Sequence, residues 1–110
     1  MMATFTTQVP TLAGLAPVYS AASAGGDRAE CGDRNFLHVK NGSASAVTVT
    51  LATTGAVRGQ SVAPVTVSVP ASGERMIGPL AGELFAGAAD GLAAVSWSAT
   101  ATVTAAAFRI

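Results

Sequence analysis

The chain has few charged side chains. Its 110 residues include six basic and six acidic residues, so the formal net charge is zero and only 11% of the residues are charged. Ordinary soluble domains carry about 25% charged residues. The lack of a basic excess argues against sequence-independent binding of nucleic acid, and a neutral, charge-poor surface gives little protection against association. We therefore expect much of the surface to contact another protein. The alternative is a monomer that exposes mainly Ser and Thr.

The chain also lacks the residues that cross-link or anchor many small domains. Cys31 is the single cysteine, so an internal disulfide cannot form, and a lone thiol suits a reducing cytoplasm. Apolar runs fall well short of the roughly 20 residues that cross a bilayer. The N-terminal sequence has neither the basic nor the apolar region of a signal peptide. We expect no membrane partner and no secretory signal.

Metal-ligating patterns are equally sparse. One histidine and one cysteine fall short of the three or four ligands of a zinc site. Asp27, Glu30 and Asp33 are spaced three residues apart in a glycine-containing stretch, but they lack the alternating acidic pattern of a calcium loop, and two arginines stand among them. Locally paired, solvated charges are the simpler interpretation. We expect neither a metal nor a cofactor.

Cys31, His38 and Asp33 form the one set that imitates a cysteine–histidine–aspartate arrangement. A nucleophilic cysteine requires a base within hydrogen-bond reach, and nothing in the sequence brings a loop cysteine next to a histidine in the middle of a strand. Phosphate-loop, dinucleotide-binding and Gly-x-Ser-x-Gly signatures are absent from the sequence. We therefore predict that the protein is not an enzyme and has no catalytic residues.

Large apolar side chains are scarce as well. Alanine accounts for 24 residues of the 50% hydrophobic fraction, and alanine buries little area. The core must therefore come mainly from Val, Leu and Ile, together with Phe36, Phe85, Phe108 and Trp97. Trp97 and Phe108 have the strand spacing of core residues, which we favour over a platform for stacking ligands.

The chain is rich in alternating apolar and hydroxyl side chains. Residues 47–51 read Val-Thr-Val-Thr-Leu, a pattern that puts apolar side chains on one face of a strand and hydroxyls on the other. The dipeptide Asn41-Gly42 tolerates the positive φ angles of a tight turn. We therefore predict a hairpin in which residues 36–40 pair with residues 46–53.

Similar patterns predict further strands over residues 62–69, 74–77, 92–99 and 101–110. The last two are expected to form a second hairpin, and Pro64 places the start of its strand at a sheet edge or bulge. Residues 80–89 are predicted to be a loop with a short turn of helix. About seven strands with this spacing predict an all-β fold, an antiparallel two-sheet β-sandwich. The pattern leaves jelly-roll, Ig-like and other Greek-key topologies open.

Residues 1–35 show little regular pattern. A short strand is expected within residues 4–9, two prolines favour an extended arm or edge strand after it, and residues 21–34 are predicted to be a loop. We therefore divide the single domain into an N-terminal arm and loop, residues 1–35, and a β-sandwich body, residues 36–110. The candidate contacts to a partner or a second subunit are Phe5, Leu12, Leu15, Val18 and Tyr19.

Three stretches of the chain resemble small structural proteins encoded next to the major capsid gene in tailed phages and prophages of actinobacteria. The first is residues 11–26, which begin Thr-Leu-Ala-Gly-Leu-Ala-Pro-Val-Tyr-Ser and end Ala-Gly-Gly. The second is the predicted hairpin, residues 36–51. The third is residues 67–79, which read Val-Ser-Val-Pro-Ala-Ser-Gly-Glu-Arg-Met-Ile-Gly-Pro. The stretches occur in the same order and extend from residue 11 to residue 79.

The resemblance implies a capsid decoration (cement) protein, which binds the outside of a capsid lattice, reinforces it and has no enzymatic residues. It also implies the major capsid protein as partner, a homo-oligomer for which we take a trimer as the working guess, and a place on the virion surface after synthesis in the host cytoplasm. One alternative is a head–tail connector or tail component of the virion. Another is a carbohydrate- or receptor-binding module, which is expected to expose an aromatic cluster.

Overall fold

The chain forms a two-sheet β-sandwich in a computed structural model that describes residues 3–54, 56–58, 60–61, 63–87 and 91–110. This confirms the predicted all-β fold. In chain order the elements are β1 (Ala3–Thr4), β2 (Thr7–Gln8), β3 (Ser20–Ala21), β4 (Asp27–Glu30), β5 (Asn35–Asn41), β6 (Val47–Leu51), β7 (Ala56–Val57), β8 (Gln60–Ser61), β9 (Val65–Val69), β10 (Glu74–Ile77), α1 (Gly82–Phe85), β11 (Leu92–Trp97) and β12 (Val103–Arg109).

The strands are divided between two main sheets. Sheet I has the order β1-β4-β11-β6-β9, and sheet II has the order β10-β5-β12-β2, with β3 also pairing with β12. The β1–β4 and β12–β2 pairs are parallel, and the other pairs in these two sheets are antiparallel. Strands β7 and β8 form a separate two-stranded ribbon. Among the described residues, seven strands are four residues or longer; six of them fall in predicted strand segments, and the seventh, β4, falls in a predicted loop.

The core lies between the two sheets and takes side chains from both. Sheet I contributes the inward face of β6, where the valines and leucine are buried while Thr48 is exposed, as the alternation predicts. Sheet II contributes Leu37 and Val39, both fully buried. Burying a Val or Leu side chain stabilises the fold by about 1.5–3 kcal/mol. Strand β9 lies at an edge of sheet I, as Pro64 indicated.

The hairpin predicted across Asn41-Gly42 is wrong. Strand β5 belongs to sheet II and β6 to sheet I, so the chain crosses from one sheet to the other instead of folding back within one sheet. Neither Asn41 nor Gly42 adopts the positive φ that a tight primed turn requires. The alternating pattern therefore predicts the buried face of β6 correctly, but it does not predict which strand β6 pairs with.

A buried amide takes the place of the tight turn. The Asn41 side chain is 2% exposed, and its Nδ2 donates to the backbone carbonyls of Ser45 (2.8 Å), Val69 (3.2 Å) and Pro70 (3.2 Å). Its Oδ1 accepts from the backbone N–H of Ser43 at 3.0 Å. The amide thus joins the β5–β6 crossover to the β9–β10 crossover at one end of the sandwich.

The second predicted hairpin is wrong for the same reason. Strand β11 lies in sheet I and β12 in sheet II, so residues 98–102 also cross between sheets. The backbone N–H of Gly42 donates to the Thr102 carbonyl at 2.9 Å, which joins this crossover to the one after β5. Three crossovers therefore meet at the end of the sandwich where Asn41 is buried.

The N-terminal third is more regular than predicted. Residues 27–30 fall within the predicted loop, yet they form β4, which pairs with β1 on one side and β11 on the other. The single strand expected within residues 4–9 is instead two short strands, β1 and β2, which enter different sheets. Residues 9–19 are the longest stretch of this region that runs between two strands without strand pairing. The region before β5 is therefore built into both sheets.

One further segment prediction is confirmed. The short turn of helix expected in residues 80–89 is α1. Residues 88–90, at the end of this predicted loop and just after it, lie outside the described residues, as does Val62 at the start of a predicted strand.

Candidate functional site

The outer face of sheet II carries the aromatic side chains that do not enter the core. Alternation along β5 turns Leu37 and Val39 inward and Phe36 and His38 outward, as expected for neighbours in a strand. On the adjacent strand Phe108 lies directly opposite Phe36, and the two rings stack with centroids 5.6 Å apart. Phe108 is 7% exposed although it faces away from the core. Another part of the chain must therefore cover it.

The covering segment is the stretch between β2 and β3. Both strands pair with β12, so the intervening residues pass over the outer face of sheet II. Tyr19, just before β3, packs edge-on against Phe108 with centroids 6.2 Å apart, and its hydroxyl lies 2.7 Å from Nδ1 of His38. The ammonium of Lys40 lies 4.1 Å from the centre of the Tyr19 ring, a distance suited to a cation–π contact.

His38 links this segment to the edge strand β10. Its Nε2 lies 3.2 Å from Oε1 of Glu74. Because a carboxylate only accepts, Nε2 donates to Glu74 and Nδ1 accepts from the Tyr19 hydroxyl in the neutral ring. Both ring nitrogens are therefore bonded to side chains other than Cys31, which follows β4 in the other sheet and packs against the core.

Two hydrogen bonds hold the ends of the covering segment close together. The side-chain amide of Gln8 donates from Nε2 to the Val18 carbonyl at 2.8 Å and accepts the Val18 N–H on Oε1 at 2.9 Å. We call residues 9–18, whose ends this contact holds together, the N-terminal loop. Its tip is a tight turn closed by the Gly14 N–H donating to the Thr11 carbonyl at 3.0 Å. Compact loops with close ends are a common form of functional surface.

The tip of the N-terminal loop exposes a large apolar side chain. Leu12 is fully exposed at 111% and Val18 is 70% exposed. No Asp, Glu, Lys, Arg or His occurs before Asp27, so the loop has no ionisable side chain of these types to keep it in water. A preorganised apolar tip of this kind is suited to contact with another molecule, because its ordering cost is already met in the free protein.

An apolar depression lies beside the loop on the same outer face. We call it the outer groove; its volume is about 360 Å³ and it is lined by Phe36, Met76, Ile77, Pro79 and Ile110. Met76 is 68% exposed and Ile110 is 76% exposed. A second depression of about 330 Å³ runs beneath the N-terminal loop and shares Phe36 and Met76 with the outer groove. The loop and the two depressions form one continuous apolar surface.

The structure places the five predicted contact residues differently. Leu12 and Val18 are exposed, and Leu15 and Tyr19 are half-buried and line the depression beneath the loop. Phe5 differs from the predicted exposed contact, because its side chain is 5% exposed and belongs to the core. Its backbone N–H donates to the Arg28 carbonyl of β4, and this hydrogen bond holds Phe5 between the sheets. It does not lie on a contact surface.

Sequence reasoning missed the buried polar groups. Asp27 is fully buried, and its Oδ2 accepts from the Ser23 N–H at 2.9 Å and from Nε1 of Trp97 at 2.8 Å.

The acidic residues of β4 do not form a metal site. Asp27 and Glu30 fall on opposite faces of β4, so they do not line one site. Within the described residues, no group of three or more potential metal ligands is present. In the same residues, no helix is long and apolar enough to cross a membrane.

The comparisons with known proteins add no relative. Protein-family models, curated proteins and solved structures were all compared with this chain, and none of them matched.

Proposed function

We propose that this chain is a structural virion protein that binds the outside of a phage capsid lattice and reinforces it. The observation that carries the proposal is the N-terminal loop, an uncharged and preorganised loop with Leu12 fully exposed at its tip. The resemblance to decoration proteins of actinobacterial phages includes most of this loop. The partner is the major capsid protein, and we assign no catalytic role to any residue.

A repeated lattice suits a binding surface of this size. One loop tip contacts too little area for a stable one-to-one complex, which typically buries about 1,200–2,000 Å² in total. When several copies bind neighbouring lattice positions and contact one another, the contacts act together and avidity strengthens binding without new contacts. Low surface charge lets such copies pack closely. These features support a decoration protein that acts in many copies as an oligomer, for which we retain the trimer as the working guess.

The proposal predicts that a single loop substitution weakens capsid binding. Removing the first 19 residues is a poor test, because β1, β2 and Phe5 are built into the sheets and the core. Leu12→Asp changes only an exposed tip, and Thr66→Asp, at an exposed position on the outer face of sheet I, adds the same charge as a control. In co-sedimentation with capsids of the same phage that lack this protein, Leu12→Asp should reduce binding at least about tenfold, whereas Thr66→Asp should leave it unchanged.

Two results would overturn the proposal, one from co-sedimentation and one from electron microscopy. The first is wild-type protein that stays in the supernatant at every capsid concentration. The second is electron microscopy of virions that finds the protein only at the portal vertex or the tail. That location would instead support the head–tail connector or tail component.

One observation favours a second candidate, a carbohydrate-binding module. The aromatic rings of Tyr19 and Phe36 border the depression beneath the loop, and its lining residue His38 lies 3.2 Å from the carboxylate of Glu74, a side chain that is 60% exposed. Aromatic faces combined with a few polar groups are typical of small-molecule sites. Binding of soluble oligosaccharides, lost in Phe36→Ala and retained in Leu12→Asp, would favour this candidate over the capsid.

A further inference from the structure

We propose that the open edge of strand β9 pairs with the same edge of a second copy of this chain, so that sheet I continues antiparallel across a two-fold axis. The inference goes beyond capsid binding and does not rest on it, because the N-terminal loop belongs to the outer face of sheet II. It rests on the sequence of one edge strand, on the backbone groups along its open edge, and on the ladder that already covers its other edge.

Strand β9 is an edge strand with no charged side chain to protect it. Among the described strands, the two main sheets end in β1, β9, β10 and β2, and of these only β9 and β10 are longer than two residues. No Asp, Glu, Lys, Arg or His occurs in residues 59–73. Exposed edges are commonly guarded by charges, bulges or prolines. The strand itself, Val-Thr-Val-Ser-Val, contains none of these, so its edge is suited to strand addition.

Strand β10, the other long edge, carries such a guard. Its neighbour β5 bonds to it through the Asn41 N–H, which donates to the Gly73 carbonyl at 2.8 Å. Alternate residues of an antiparallel strand turn their backbone groups away from the partner, so the backbone of Glu74 faces the open edge. There Nη1 of Arg75 donates to the Glu74 carbonyl at 2.8 Å. A charged side chain across the edge opposes strand addition, which makes β9 the favoured edge.

The backbone groups of Thr66 and Ser68 face the open edge of β9. On the neighbouring strand β6, the Thr48 carbonyl accepts from the Ser98 N–H at 3.0 Å, and the Thr48 N–H donates to the Ser98 hydroxyl at 2.8 Å. The Thr48 backbone therefore faces away from β9. Ser68 lies directly opposite Thr48, so its backbone faces away from β6, as does that of Thr66 two residues earlier. Both side chains are exposed.

The sequence of β9 is self-complementary, and this identifies a second copy as the occupant. Val-Thr-Val-Ser-Val shows the same alternation of valine and hydroxyl in both directions. In an antiparallel pair centred on Val67, Thr66 lies opposite Ser68 of the second copy, and Val65 lies opposite Val69 of the second copy. A two-fold axis repeats each of these contacts. An unrelated strand would match this pattern only by coincidence, whereas a second copy matches it by symmetry.

The covered edge of β9 already pairs in this way. Against β6, every valine of β9 lies opposite Val or Leu, and both hydroxyl residues lie opposite Thr. A second copy presents the same alternation to the open edge, so valine again meets valine and hydroxyl meets hydroxyl. Cross-strand pairs of this kind stabilise antiparallel sheets. Val65, which is 37% exposed, gains an apolar neighbour in the pair.

Two prolines fix the register of the pair. Pro64 and Pro70 flank β9 and have no N–H to donate. In the centred register they lie opposite each other, and Thr66 exchanges both backbone hydrogen bonds with Ser68 of the second copy. A shift by two residues sets a proline opposite Thr66 or Ser68 and loses a bond. The ladder is short, so we expect a weak dimer with a dissociation constant between about 1 μM and 1 mM.

Charge placement on the paired residues tests the arrangement. Thr66→Lys/Ser68→Lys sets like charges opposite each other, so this variant should stay monomeric in sedimentation velocity up to about 1 mM, whereas wild type forms dimers. Thr66→Lys/Ser68→Glu sets opposite charges across the antiparallel pair and should still form dimers. Both positions are changed because a single charge at residue 66 meets only the Ser68 hydroxyl of the second copy. Thr48→Lys/Ser96→Lys adds the same charge to inner strands of the same face and should dimerise as wild type does.

Hydrogen exchange of the wild type supplies a test that needs no variant. In the monomer, the N–H groups of Thr66 and Ser68 face solvent and should exchange faster than that of Val67, which faces β6. Raising the concentration from about 10 μM to about 1 mM spans the expected affinity. Exchange at Thr66 and Ser68 should then slow several-fold, because their N–H groups become bonded to the second copy.

Three results would overturn the inference. They are a wild-type chain that stays monomeric over this range, dimers in which Thr66 and Ser68 exchange as fast as in the monomer, and a folded Thr66→Lys/Ser68→Lys variant that dimerises like wild type. No capsid is present in these measurements, so the failure of pairing and the failure of capsid binding are distinguishable. The trimer taken as the working guess concerns copies on the lattice and is not tested by a dimer in solution.

Discussion

The two sheets have the same kind of inward face and very different outward faces. Across the outer face of sheet I, Ser96, Thr50 and Thr66 lie opposite one another on three neighbouring strands. The matching positions of sheet II carry Phe36 and Phe108, which stack and are covered by the N-terminal segment. A solvated sheet face needs hydroxyls, whereas a covered face needs apolar or aromatic groups. The sandwich therefore has one outer face that meets water and one that presents an apolar surface.

The difference is visible in the burial of single strands. Strand β6 alternates strictly between its buried and solvent-facing residues, because only one face is covered. Strand β12 is buried over four consecutive residues, 105–108, because the core covers one face and the N-terminal segment covers the other. A continuous Ala-Ala-Ala-Phe run therefore signals a strand that is covered on both sides.

The largest effect is expected from removing the ring that joins the covered face to its cover. Phe108→Ala deletes contacts with Phe36 and Tyr19, and substitutions of buried Phe by Ala typically cost about 3–5 kcal/mol in the free energy of unfolding. Thr48→Ala on the other outer face should cost less than about 1 kcal/mol. Urea unfolding measures both values. Equal losses in the free energy of unfolding would show that the outer face of sheet II is no more closely packed than the outer face of sheet I.

A smaller and more local effect is expected from the tyrosine hydroxyl. Tyr19→Phe keeps the ring packing but removes the hydrogen bond to His38, which should cost about 1 kcal/mol. Because Tyr19 stands at the end of the N-terminal loop, amide hydrogen exchange in residues 9–18 should become faster while β6 is unaffected. Glu74→Gln keeps an acceptor for His38 and serves as the control. Unchanged exchange in the loop of Tyr19→Phe would contradict this role of the hydroxyl.

The smallest effect is a gain in stability at the edge of sheet II. The hydroxyl of Thr7 in β2 is buried and has no hydrogen-bond partner among the described residues. Replacing it with an apolar group of similar shape in Thr7→Val should stabilise the fold by up to about 1 kcal/mol. Thr6→Val, at the exposed neighbouring position, should change stability by no more than about 0.5 kcal/mol. Loss of stability in Thr7→Val, measured by thermal unfolding, would show that the hydroxyl is needed.

The errors in strand pairing have a common cause. Both predicted hairpins join strands that follow one another closely in the chain, and each pair is split between the sheets. A turn signal such as Asn41-Gly42 reports where the chain changes direction, but the same dipeptide also allows a crossover. The Asn41 amide stabilises the crossover by donating to the carbonyls of Val69 and Pro70, which lie 28 and 29 residues further along the chain.

The candidate site was predictable in part. The apolar residues Leu12 and Val18 in a proline-interrupted stretch were recognised as candidate contacts, and the structure places them at the surface. Phe5 has the same composition signal, yet it enters the core through a strand of two residues that is too short to produce a pattern. The outer groove combines Phe36 of β5, Met76 of β10 and Ile110, which follows β12, and only the sheet order makes them neighbours.

The sequence by itself determined the fold class and the faces of the regular strands, because a period of two fixes which side chains share a face wherever a strand forms. It also determined the low charge of the surface. Only the tertiary structure decided which strands pair, which outer face is covered and where Leu12 and the groove lie. These depend on contacts between segments far apart in the chain, and burial in a shared core outweighs the preference of any single turn.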